Sequence, residues 1–138
     1  MMLLVDTSVW SLAFRRRPTD LNPRELAIRE LLEKAITEGR VAFLGSIRQE
    51  LLAGIRDERQ FQRLRNALRA FPDVPLTAAD YEEAARLSNV CRRKGIAGSP
   101  VDFLICSVAL LRNWPIFTLD RDFARFSEHI QIRLLNAP

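Results

Sequence analysis

Histidine, cysteine and lysine are scarce in this 138-residue chain, which has one, two and two of them respectively. A single histidine, His129, excludes a zinc site built from histidine and cysteine pairs and argues against histidine-based general catalysis. Cys91 and Cys106 have no metal-type spacing. Cys106 also falls in an apolar stretch, so we expect a reduced, packed thiol and a reducing cytoplasm as the compartment.

Long apolar runs are absent as well. The opening run, residues 1–5, ends at Asp6, so it is too short for a secretory signal peptide. Nothing approaches the roughly 18 consecutive apolar residues of a membrane span, and we expect no membrane association. With 48% hydrophobic and 28% charged residues, the composition is that of an ordinary globular protein. We therefore expect one domain over residues 1–138.

The net charge of +4 comes almost wholly from arginine, which supplies 19 of the 21 basic residues. The planar guanidinium group suits paired contacts with phosphate, so a polyanionic partner is one explanation of this bias. The alternative is that the arginines only solvate the surface. Arg15, Arg16 and Arg17 form the only run of three arginines and are the candidates for steering a nucleic acid.

Short β-rich runs alternate with helical patterns along the chain, which predicts a mostly parallel sheet covered by helices on both faces. Pro72 and Pro75 restrict one of these runs to the edge of the sheet. The predicted strands are residues 2–5, 41–44, 71–76, 116–119 and 130–135.

Two aspartates directly follow predicted strands. Asp6 ends the run 2–5, and Asp120 ends the run 116–119 and is followed by Asp122. In open α/β sheets, ligands bind outside the carboxyl ends of the strands. Asp6 and Asp120 are therefore expected to face one crevice.

Two more acids lie at predicted helix starts. Ser46 and Gln49 have the spacing of a capping box, which would place Glu50 at the end of the first helical turn. Ser99 and Asp102 repeat that spacing, with Pro100 at the favoured first helical position. Glu50 and Asp102 can thus reach the same crevice as the two aspartates at strand ends.

Clustered carboxylates raise one another's pKa values, so a cation is needed to offset their repulsion. Oxygen ligands without histidine or cysteine favour Mg²⁺ or Mn²⁺ over zinc. Ions held in this way activate water and neutralise charge on a phosphoryl group, which suits phosphodiester hydrolysis. The hydroxyls of Thr7, Ser8 and Thr118 are expected to orient these carboxylates or a phosphate. Taken singly, each acid could instead be a helix cap, and capping is compatible with ion binding.

The four acidic segments, taken in order, resemble a PIN-domain ribonuclease of the VapC toxin type. The matching stretches are residues 5–8, 46–54, 102–109 and 118–123. The resemblance implies a three-layer α/β/α sandwich with a five-stranded, mostly parallel sheet. It also implies Mg²⁺- or Mn²⁺-dependent endoribonuclease activity that leaves a 5′-phosphate, homodimerisation, inhibition by a VapB-type antitoxin, and a prokaryotic cytoplasm. Departures at Cys106, Ser107 and residues 113–115 concern local packing.

The resulting hypothesis is that four acids ligate one or two ions, with Asp122 helping to hold the second: Asp6, Glu50, Asp102 and Asp120. Arg15 to Arg17 would contact RNA. One alternative is a catalytically idle binding or scaffold protein of the same fold, whose acids serve as helix caps. A PIN-type DNA nuclease is a second alternative, because none of these residues reads a 2′-hydroxyl.

Overall fold

The computed structural model describes residues 1–136, so residues 137–138 of the predicted domain lie outside the described part. This part contains three strands and seven α-helices, and a short 3₁₀ turn covers Pro18–Asp20. In chain order they are β1 (Leu3–Val5), α1 (Thr7–Phe14), α2 (Pro23–Thr37), β2 (Val41–Ala42), α3 (Gly45–Leu52), α4 (Glu58–Leu68), α5 (Ala78–Arg93), α6 (Pro100–Arg112), β3 (Ile116–Phe117) and α7 (Asp122–Ser127).

The sheet is parallel, with strand order β2-β1-β3. In the register of β1, Leu4 lies opposite Ala42 on one side and Ile116 on the other. Two further segments join by single parallel bridges, Phe43 with Asp73 and Ile116 with Leu134. The predicted parallel α/β fold is confirmed, with the two predicted outer strands reduced to these bridges.

Both faces of the sheet are covered. Successive residues of a strand point to opposite faces, and all three residues of β1 are buried. The indole N–H of Trp10 on α1 donates to the carbonyl of Val5 at 3.0 Å, which fixes α1 against the end of β1. Helices therefore pack on each side of the central strand, as the predicted three-layer arrangement requires. Within residues 1–136, no helix is long and apolar enough to cross a membrane.

The predicted starts of α3 and α6 had different outcomes. Ser99 accepts from the Asp102 backbone amide at 3.1 Å, and Asp102 accepts from the Ser99 amide at 3.1 Å, so the predicted capping box of α6 is present. The predicted capping box of α3 was wrong. Leu44 occupies the capping position without a side-chain hydrogen bond, and the Ser46 hydroxyl is buried without a partner within residues 1–136.

The reason is tertiary. Phe43 binds the edge segment through the Val74 amide at 2.8 Å, so the chain leaves β2 and turns directly into helix. The Leu44 carbonyl then accepts from the amides of Ile47 and Arg48. Because α3 begins at Gly45, Glu50 lies in its second turn.

Candidate active site

Asp6 and Asp120 lie at the carboxyl ends of neighbouring strands. Asp6 directly follows β1, and its amide donates to the Phe117 carbonyl of β3 at 2.9 Å. Asp120 comes three residues after β3. The two acids predicted to share a crevice therefore follow adjacent strands of one parallel sheet.

Two hydroxyl groups fix the Asp6 carboxylate. The Oγ of Ser8 and the Oγ1 of Thr118 donate to Oδ2 of Asp6 at 2.8 and 2.7 Å. The same hydroxyls accept from the backbone amides of Leu119 and Asp120, each at 3.0 Å. The segment after β3 is thereby tied to the end of β1, and Asp120 is held beside Asp6.

Glu50 and Asp102 reach the same place from two helices. The hydroxyl of Thr7, the first residue of α1, donates to Oε1 of Glu50 on α3 at 3.1 Å. Asp102 lies in the first turn of α6, where its capping box with Ser99 fixes the carboxylate at the helix start. Four segments distant in sequence thus each bring one acid to the edge of the sheet.

Burial and the neighbouring charges raise the pKa values of two of these four acids. Burial of the carboxyl group raises the pKa of Glu50, the Thr7 hydrogen bond opposes that rise, and the charges of Asp6 and Asp102 add to it. Burial also raises the pKa of Asp102, Ser99 opposes the rise, and the charges of Asp120 and Asp6 add to it. Each acid is therefore within electrostatic range of others in the set.

The carboxylate oxygens are chemically suited to bind a divalent ion. In each acid, one oxygen accepts a hydrogen bond and the other accepts none within residues 1–136. Four free, hard oxygen donors are the ligand type that Mg²⁺ and Mn²⁺ prefer. In the same part of the chain, no three acidic, histidine or cysteine side chains are close enough to hold one ion as they stand. Binding would therefore draw the carboxylates together.

A second buried aspartate provides a contrast. Asp80 is 1% exposed and pairs with both terminal nitrogens of Arg112, at 2.6 and 3.1 Å. Asp6 is 6% exposed, yet within residues 1–136 its carboxylate contacts only hydroxyl groups and no cationic side chain. A buried charge without a counterion is costly, and a bound cation would remove that cost.

The remaining predicted site residues make fewer contacts with the four acids. Asp122 is exposed at the start of α7 and contacts Asp120 through its backbone amide, which donates to Oδ1 at 2.9 Å. Arg16 pairs with Glu25 at 2.7 Å and Arg17 with Asp20 at 3.4 Å.

Arg15 alone of the basic run has an exposed side chain without a partner in residues 1–136. The sequence reasoning missed Arg56 and Arg63, which lie near Arg15 around one groove. Arg56 lies in the loop before α4 and Arg63 lies within α4, so no sequence spacing indicated that they approach Arg15.

Comparisons with known proteins give the family and the fold. The PIN domain family profile matches residues 3–129. VapBC2 from Rickettsia felis, solved bound to a DNA fragment from its promoter, superposes with a TM-score of 0.77 at 18% identity and covers 100% of both chains. FitAcB from Neisseria gonorrhoeae gives 0.75 at 20% identity, over 98% of this chain and 97% of that chain.

A DNA-bound VapBC from Salmonella typhimurium gives a TM-score of 0.73 at 17% identity, over 98% of this chain and 97% of that chain. Comparison with curated protein sequences finds no match. At such low identities the structural likeness shows a shared fold, whereas the family profile spans most of the sequence. The chain belongs to the PIN domain family.

Proposed function

We propose that this chain is a metal-dependent endoribonuclease toxin of the VapC type, neutralised by a cognate VapB-type antitoxin. The observation that carries the proposal is Asp6, a buried carboxylate with hydroxyl partners and no cationic side chain in contact within residues 1–136. A purely structural role would call for a partner such as Arg112 gives Asp80. PIN-domain membership and the VapBC structures among the structural neighbours support the same function.

Five acids would hold the ion or ions: Asp6, Glu50, Asp102 and Asp120, with Asp122 at the rim. A bound Mg²⁺ or Mn²⁺ supplies an activated water and neutralises charge on the scissile phosphate. The hydroxyls of Ser8 and Thr118 hold Asp6, and Thr7 holds Glu50, so that each carboxylate keeps one oxygen turned away from its hydrogen bond. Burial and repulsion raise the pKa values of Glu50 and Asp102, so protons compete with the ion at these two acids.

The proposal includes the setting of the enzyme. It acts in a prokaryotic cytoplasm as a homodimer, and an antitoxin segment covers the acidic site until the toxin is released. The net charge of +4 favours the approach of RNA at low salt.

The test is cleavage of an end-labelled cellular RNA pool by antitoxin-free protein, with Mn²⁺ or Mg²⁺ and with EDTA. Asp102→Asn is the diagnostic variant, because asparagine keeps an acceptor for the capping box while removing the charge. Asp20→Asn is the matched control, since Asp20 is an exposed aspartate outside the site. We expect metal-dependent cuts from the wild type and the control, and none from Asp102→Asn.

The other results each reject part of the proposal. Equal cleavage by Asp102→Asn would show that the site is misplaced or that the preparation is contaminated. Cleavage of single-stranded DNA in preference to RNA of the same sequence would identify a DNA nuclease. Folded protein that neither cuts RNA nor binds Mn²⁺ would be a binding protein.

A further inference from the structure

A groove of about 510 Å³ lies between the end of α1, the loop from α3 to α4, and α4. We call it the arginine groove, and its principal lining residues are Phe14, Arg15, Ile55, Arg56, Arg63 and Leu64. Three of its lining residues are apolar: Leu64, which is buried, and Phe14 and Ile55, which are half-buried. Three cationic side chains thus surround a surface that can accommodate a flat apolar group.

These three arginines are free to bind a ligand. Arg15, Arg56 and Arg63 are exposed, and within residues 1–136 their side chains make no hydrogen bond or ion pair. Arg59, also exposed, extends the positive surface along α4 beside Arg63. Repulsion among the arginines is therefore not offset by acids of the chain.

The two acids nearest in sequence have other partners. Asp57 caps α4 by accepting from the Arg59 amide at 3.1 Å. Glu58 accepts from Gln62 at 3.2 Å. Neither acid lines the groove, which leaves its charge positive.

The groove adjoins the carboxylate site through α1, which begins at Thr7 and ends at Phe14, and through α3. α3 carries Glu50 and ends at Leu52, and Gly54, four residues after Glu50, already lines the groove. The loop that lines the groove therefore follows directly on the helix that carries Glu50. Gly54 has a φ of +86°, which only glycine adopts readily, and this turn brings Arg56 to the groove. A strand of RNA at the carboxylates would enter the groove within a few nucleotides.

We propose that the arginine groove binds single-stranded RNA next to the scissile bond, an inference that rests on the proposed nuclease function. Arg56 and Arg63, together with Arg15, contact successive phosphates, and the apolar side chains around Phe14 take a base. Arginine forks combined with an aromatic surface are the pattern of single-strand binding sites. An acidic peptide would satisfy the charges but supplies no aromatic ring for the apolar residues of the groove.

The test compares two double variants with equal charge loss. Arg56→Ala with Arg63→Ala changes the groove, whereas Lys34→Ala with Arg69→Ala removes exposed charges that do not line it. The probe is a fluorescein-labelled single-stranded RNA of about 16 nucleotides, the upper end of single-strand site sizes. Its anisotropy is measured against salt in EDTA, and its cleavage is measured separately with Mn²⁺.

Loss of two phosphate contacts lowers the salt slope by about 1.4 and the affinity at 0.1 M salt by roughly 25-fold. We expect this change in the groove variant and not in the control. Because the contacts lie outside the carboxylate site, kcat/KM should fall with the affinity while kcat at saturation is kept.

If the groove variant keeps its RNA affinity and salt slope while the wild type cleaves RNA, the groove does not bind RNA. The proposed nuclease function would then still stand. A wild type that neither binds nor cleaves the RNA would overturn both. Loss of binding to a polyglutamate peptide, with RNA binding retained, would reassign the groove to an acidic protein partner.

Discussion

A buried carboxylate is stable only when something nearby offsets its lost hydration, and Asp6 and Asp80 meet that requirement differently. Asp80 has Arg112 in a two-pronged ion pair, whereas Asp6 has two hydroxyl donors within residues 1–136. Hydroxyl groups offset part of the cost but bring no charge. The buried charge of Asp6 therefore destabilises the ion-free fold, and a bound ion would remove that cost.

The first prediction is that Asp6→Asn stabilises the ion-free protein. Asparagine has the same shape, and its side-chain oxygen keeps the hydrogen bonds from Ser8 and Thr118 while the buried charge is removed. We expect the free energy of unfolding in EDTA to rise by about 1 kcal/mol, as replacements of functional charges often give. Urea unfolding measures it, and a loss of stability would show that the charge itself holds the fold.

Asp80→Asn should have the opposite effect. Breaking a buried ion pair costs about 3–5 kcal/mol, and because Arg112 is partly exposed we expect roughly 2–3 kcal/mol. The Arg112 hydrogen bonds hold the pKa of Asp80 below its usual range. The stabilisation is thus fully present above the unfolded-state pKa and is lost as pH falls through the lower folded-state value. The difference between wild type and variant, followed by urea unfolding from neutral to acid pH, should shrink in that direction; a constant difference contradicts the ion-pair explanation.

For single residues, the sequence predicted contacts within one helical turn better than contacts between segments distant in sequence. The spacing of Ser99 and Asp102 indicated a capping box because both partners lie within one turn, and that box is present. The partner of Asp80 lies 32 residues away on another helix, and no local pattern indicates it. The links from Ser8 to Leu119 and from Thr7 to Glu50 span 111 and 43 residues and are more distant still.

Among the elements, the start of α6 is positioned by a contact that requires glycine. A Cβ added at Gly98 would meet the ring of Phe126 at 2.6 Å and that of Phe103 at 2.9 Å. Both rings are buried, and their centroids are 4.9 Å apart. Phe126 belongs to α7, just after Asp120, and Phe103 follows Asp102, so this contact joins the two segments that carry these acids.

Gly98→Ala should therefore lower both stability and activity. Overpacking against buried rings costs about 1–3 kcal/mol, and relief of the clash displaces the first turn of α6 with Asp102. The control is Gly95→Ala in the same loop, where φ is +76° but no atom lies within 4 Å of the added Cβ. We expect the control to lose about 1 kcal/mol from backbone strain and to keep its cleavage rate per folded molecule. Equal cleavage rates per folded molecule in both variants would show that the Gly98 contact does not position Asp102.

The errors in predicting elements have tertiary causes. The spacing of Ser46 and Gln49 suggested the start of α3, but the chain turns into helix earlier because Phe43 is held by the edge segment. That edge segment contains Pro72 and Pro75, which have no N–H to donate, so the predicted strand is reduced to one bridge. Hydrophobic patterning could indicate these segments, but not how many residues pair.

In the whole molecule, the convergence of the acids follows from strand order. β1 lies between β2 and β3, so the ends that carry Asp6 and Asp120 are adjacent, and α3 with Glu50 follows β2 on the other side of β1. The sequence placed these acids at the carboxyl ends of strands. It could not give the order of the strands, which depends on packing between segments more than 100 residues apart.

The final prediction concerns ion binding and stability together. An ion that binds only the folded state stabilises it by about 1.4 kcal/mol at tenfold its Kd, which for a chain of this size raises Tm by roughly 5 °C. Wild type and Asp20→Asn should show this rise with Mn²⁺, and Asp102→Asn should not. Since Asp6→Asn is expected to be the more stable protein in EDTA but to gain nothing from Mn²⁺, the order of wild type and Asp6→Asn should reverse as the ion is added. The reversal requires the ion to neutralise the buried charge of Asp6. An equal rise in Tm in all four proteins would therefore show that the ion binds elsewhere.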